Sequence, residues 1–69
     1  MGAFCWIRQE DKLEILSVLA AFCHVNYESQ GDSGVARLEL PDKEWADSLK
    51  KDFPNKVFPS EKKAKKGMT

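Results

Sequence analysis

The chain is poor in the residues that most often carry chemistry. It has one histidine, two cysteines and one tyrosine among 69 residues, and its cysteines do not form a Cys-x-x-Cys pair. A structural zinc site draws four ligands from closely spaced Cys and His, so no metal is expected. Phosphate loops of the GxxxxGK[ST] and GxGxxG types are absent, which leaves nucleotide binding without a motif and implies no cofactor. No stretch approaches the roughly 20 apolar residues that span a bilayer, and the N-terminus lacks the basic-then-apolar order of a secretory signal. Met1-Gly2 invites N-myristoylation, but Trp6 stands where that motif has Ser or Thr. These absences predict a cytoplasmic protein with no membrane association, in which Cys5 and Cys23 stay reduced as small buried apolar residues.

An excess of either charge is also lacking, since 11 basic side chains balance 11 acidic ones. Net charge therefore argues for no general affinity for polyanions. The placement is uneven: residues 1–59 hold ten acidic and seven basic side chains, whereas residues 60–69 hold four lysines and one glutamate. A composition 42% hydrophobic and 32% charged is that of a globular chain. At this length one small domain is the limit, with a core near the lower end of what folds unaided, so a homodimer or a permanent partner is expected.

Along the chain, AFCWIR (3–8) alternates with apolar residues on both sides, as in a strand covered on both faces. Arg8 and Lys12 would fall on the apolar face of a helix begun here, which argues for a break at 8–11. Asp11 with Glu14 three residues on forms an Asp-x-x-Glu variant of the capping box. The helix it opens is expected to run to about Glu28, with Ile15, Leu16, Leu19, Phe22, Cys23 and Tyr27 on one broad apolar face. SQGDSG (29–34) gathers turn formers. In VARLEL (35–40), Ala36, Leu38 and Leu40 alternate against Val35, Arg37 and Glu39, a strand with one buried face. Asp42 then caps a second helix with a Trp45, Leu49, Phe53 stripe, ended by Pro54. Val57-Phe58 reads as a short strand or apolar latch, and Pro59 as the end of ordered structure.

Two short motifs invite catalytic readings. Gly31-Asp32-Ser33-Gly34 resembles the residues around the nucleophile of trypsin-like serine proteases, but the likeness covers four residues. Val35 stands where that signature continues with Gly, and the chain is far too short for two barrels that would bring a histidine beside Ser33. A turn explains the motif. Cys23-His24 offers a thiol beside an imidazole, yet helical neighbours point about 100° apart and do not meet. His24 falls on the polar strip of the expected helix, near Glu28. Glu44 and Asp47 form a small acidic patch on the second helix. Lys62, Lys63, Lys65 and Lys66 read as a solubilising terminus, with phosphate contacts as the alternative.

The sequence thus predicts an α+β domain in β-α-β-α(-β) order over residues 1–59, with a flexible Lys-rich tail over 60–69. Two or three strands form a mainly antiparallel sheet, the long first helix lies across one face and the second sits at the edge. Parallel pairing through a right-handed crossover is the alternative. Surplus apolar surface favours a non-enzymatic module that binds another protein as regulator, inhibitor or assembly subunit. Its expected contacts are Val35, Arg37 and Glu39 on the open sheet face, the first helix, and Trp45, which serves either core or interface. The rival is a nucleic-acid-associated protein using the four tail lysines; a small hydrolase at Ser33 is a weaker third.

Overall fold

The computed structural model describes residues 2–29 and 34–66. Strand β1 (Ala3–Arg8) leads through a 3-10 turn (Gln9–Asp11) into helix α1 (Lys12–Ala20). Strands β2 (Asn26–Ser29) and β3 (Val35–Leu40) follow, then helix α2 (Lys43–Asp52), strand β4 (Val57–Phe58) and helix α3 (Glu61–Lys65). The four strands make one antiparallel sheet in the order β2-β3-β1-β4. This is an α+β domain, and the parallel crossover is excluded.

Period-two alternation divides the sheet residues between two faces. Ala3, Cys5 and Ile7 of β1 pair with Leu40, Leu38 and Ala36 of β3, and Ile7 also pairs with Val57 of β4. This side carries the main core: Cys5, Ile7, Ala36, Leu38, Leu40 and Val57 pack with Ile15 and Leu19 of α1 and Leu49 of α2. Each large side chain buried this way contributes roughly 1.5–3 kcal/mol in area terms. Helix α2 lies over β1 and touches β3 and β4, so it sits on the face and not at the edge. Asp42 caps it, accepting from the Trp45 backbone N–H at 3.1 Å, as its position predicts.

The first helix is shorter than its apolar pattern suggests. After Ala20 the amides of Phe22 and Cys23 both bond the Leu19 carbonyl, and the chain turns into β2. The reason lies in residues 23–28. Cys23, Val25 and Tyr27 pack against the core while His24, Asn26 and Glu28 are exposed, a strand alternation and not a helical face. Pairing with β3 then satisfies an edge that a helix would have left open. The start differs too. Asp11 makes no side-chain cap bond; it lies 3.9 Å from Lys56, whose ammonium bonds Glu14 at 2.7 Å. That bond to Glu14 holds the Lys56 pKa above its usual value.

The domain also continues past Pro59. Ser60 caps α3 by accepting from the Lys63 amide at 3.2 Å, and Ala64 is fully buried. Helix α3 touches β1, β3 and β4, and its buried residue lies outside the main core cluster. Val35, whose alternation places it opposite that core, is likewise fully buried. The guanidinium of Arg8 donates from Nε to the Ala64 carbonyl and from an Nη to the Lys66 carbonyl, both at 3.2 Å. A cation thus closes the carbonyl end of α3, where unpaired C=O groups and the helix dipole favour positive charge. The flexible-tail reading therefore gives way over residues 61–65 to a docked helix.

Candidate protein-binding groove

The two helices on the main core face do not meet along their whole length. Val18, Leu19 and Phe22 from α1 and its C-terminal turn face Trp45, Ser48, Leu49 and Asp52 of α2 across a groove of about 200 Å³. Its floor is core, since Leu19 and Leu49 are each only 3% exposed. Its lips are open: Phe22 is 69% exposed and Val18 41%. Trp45 is half-buried, packed against the core and turned to the groove. Small-molecule pockets commonly run to about 300–1,000 Å³, so this one suits a single large side chain better than a cofactor.

Local sequence explains the geometry. In α1 the buried pair Ile15 and Leu19, four apart, marks the centre of the packed face. Val18 falls to one side of that line, and Phe22 follows where the helix ends. In α2 the row Trp45, Leu49 and Phe53 packs inward, and the neighbouring row Glu44, Ser48 and Asp52 forms the outer lip.

Of the expected contacts, the structure brings Trp45 and the first helix to this site, and not Val35, Arg37 or Glu39. Val35 is fully buried beneath α3 and is withdrawn as a partner contact. Arg37 and Glu39 lie on the opposite sheet face from the groove, where each is committed locally. Arg37 bonds Glu28 at 2.6 Å and stacks over the Phe4 ring at 4.8 Å, and Glu39 accepts from Asn26 at 3.1 Å. The four lysines do form one surface: Lys62, Lys63, Lys65 and Lys66 are exposed and flank Ser60 in a shallow hollow. Lys65 also pairs with Glu61 at 3.0 Å.

Among the described residues, Cys23 and His24 are not joined by a hydrogen bond. Ser33, with Gly31 and Asp32, lies outside the described residues. Gly34 has φ 77°, the left-handed region that glycine adopts without strain. His24 is exposed and Cys23 half-buried. Burial, and then the charge of Asp42, raise the Cys23 thiol; burial pushes Cys5 up to about 11. Neither environment favours a reactive thiolate. Among the described residues no three His, Cys, Asp or Glu side chains gather as metal ligands, and no helix is long and apolar enough to cross a membrane.

One polar constellation escaped the sequence reading. Gln9 accepts from Tyr27 Oη at 2.6 Å and donates to Ser29 Oγ at 2.9 Å, while its backbone N–H bonds the Gly34 carbonyl at 2.9 Å. It ties the end of β1 to both strands of the β2–β3 pair. No local pattern announces it, because the partners lie 18 and 20 residues away.

No family model matches this chain, and neither a curated protein nor a solved structure is significantly similar to it.

Proposed function

We propose that this protein acts by binding another protein in the groove between α1 and α2, as a regulator, inhibitor or assembly subunit without chemistry of its own. The observation that carries this reading is Phe22. Phe22, 69% exposed, lines the apolar groove together with Val18, 41% exposed, and a contiguous exposed apolar patch of this kind favours a protein partner. Binding hot spots combine an aromatic anchor with a small desolvated pocket and a polar rim. Phe22, Val18 and Trp45 would provide the aromatic and apolar contact, with Ser48 and Asp52 at the rim.

The test places a photo-crosslinking amino acid at Ser48, which lines the groove without belonging to the core. Irradiation in the protein's own cells is expected to give a discrete adduct that disappears when Phe22→Ser is added. No adduct, or one indifferent to Phe22→Ser, would defeat the reading.

A second reading has its own support in α3. Four exposed lysines carried by a short docked helix and its end make a basic surface that phosphates can meet. Duplex DNA affinity that falls steeply with salt, and is lost when the four become glutamine, would bring that reading forward.

A further inference from the structure

The groove between α1 and α2 is apolar on its α1 wall and carries one carboxylate, Asp52, on its α2 wall, with a second, Glu44, in the hollow adjoining it. The α1 wall, Val18, Leu19 and Phe22, carries no charge. On α2, Glu44, Ser48 and Asp52 stand four residues apart and so share one row. Asp52 lines the groove, and Glu44 lines the hollow that adjoins it at Trp45 and Ser48. The helix rises about 12 Å between these two carboxylates. No lysine of α2 lines either hollow. The ion pairs among the described residues join Arg37 to Glu28, Lys56 to Asp11 and Glu14, and Lys65 to Glu61; none reaches this row.

We propose that the groove takes a basic segment of a partner protein, one large apolar side chain set between two cations about 12 Å apart. This rests on the protein-binding reading and names its partner by chemistry. The groove's size suits one anchor residue, and the row supplies a carboxylate on each side of it. Complementary charge at a rim steers encounter and rejects the wrong partner more than it adds affinity. A second copy docked by the same face is disfavoured, because it brings another Glu44 and Asp52 and, from the groove walls, no cation. On a helix the required spacing is Lys-x3-Phe-x3-Lys; on an extended chain it is Lys-x-Phe-x-Lys.

Both peptides are to be titrated into the full chain, with Lys→Glu and Phe→Ser counterparts, and followed by amide chemical shifts. One lysine peptide is expected to move Phe22, Trp45 and Ser48, and to bind about tenfold more tightly than its glutamate counterpart, as two partly exposed ion pairs would give. That preference should shrink at high salt, and in Glu44→Gln with Asp52→Asn, whose exposed positions leave the fold intact. Equal binding of lysine and glutamate peptides, an unchanged preference in the double variant, or no binding at the groove would each overturn the proposal. The Ser48 crosslink separates that failure from failure of the underlying reading. A Phe22-dependent adduct with no basic segment at the contact, including one of twice the chain's mass, would keep the groove as a docking surface and remove its basic partner. Absence of any adduct would remove both.

Discussion

The two sides of the sheet are held by different means. On the α1–α2 side, nine buried residues form one apolar cluster, and partly buried Leu16, Cys23, Val25, Tyr27, Trp45, Ala46 and Phe53 pack against it. On the other side, Val35 of β3 and Ala64 of α3 are the fully buried residues, at the end where α3 docks, and beyond them aromatic rings lie under cations. Arg8 lies 5.0 Å from the Phe58 ring and Arg37 4.8 Å from that of Phe4. Such contacts are worth about 0.5–1 kcal/mol each where water reaches them. The first side therefore carries the stability, and it is also where surplus apolar surface opens as a groove.

The largest expected effect breaks the strong side. Leu38 is fully buried on β3, between Cys5 and Tyr27 on the flanking strands. Leu38→Ala should cost about 2–5 kcal/mol, enough to leave so small a domain largely unfolded in a denaturant melt. On the weaker side, Ala64→Asp places a carboxylate at a fully buried position and should cost more than the roughly 1–3 kcal/mol of a buried neutral polar group, up to the point where α3 undocks. Its signature is local: α3 amides lose exchange protection while α1 and α2 keep theirs. Arg8→Ala should mimic this in part, by removing both bonds to the end of α3. A global loss as great as that of Leu38→Ala would show the two sides to be one cooperative unit. Gly34→Val should cost about 1–3 kcal/mol through strain alone, since a β-branched residue at φ 77° meets its own carbonyl; Gly34→Asn should cost less.

The cysteines sharpen the comparison within the strong side. Cys5 is 3% exposed and Cys23 half-buried, so one thiol per chain should react in the native protein and two after unfolding. Burial pushes the Cys5 thiol from 9.0 up to about 11. The folded pKa is the higher one, so the stability gained from a neutral Cys5 is complete below about pH 9 and lost as pH rises towards 11. A Cys5→Ala variant should therefore lose less stability over that window than the parent.

Most of the strong side was legible in the sequence, because its signals are local. The alternation in VARLEL, the Asp42 cap and the Trp45, Leu49, Phe53 stripe each correspond to what forms. The end of α1 was missed because Tyr27 satisfies two periods at once: it continues the helical face of Ile15 and Leu19, and it completes the alternation Cys23, Val25, Tyr27. Only the β3 edge, a tertiary feature, decides between them. Helix α3 was missed for a different reason. Four lysines look solvated, and they are; its attachment depends on Ala64 and on Arg8, which is 56 residues away from that alanine. A Ser60 cap before Glu61 was the one local hint. The groove itself is half visible: Trp45 stands out in the sequence, whereas Phe22 reads as part of a buried helix face, from which the end of α1 leaves it exposed.

The smallest expected effect on stability belongs to the residue on which the proposed binding rests. Phe22 is 69% exposed, so Phe22→Ser should change stability by no more than about 0.5 kcal/mol. Its thermal melt, run beside irradiation of the Ser48 crosslinker, tests the central claim most directly. The account predicts a melt like that of the parent together with loss of the adduct. A protein destabilised by Phe22→Ser that still forms the adduct would make Phe22 part of the core and the groove no docking surface.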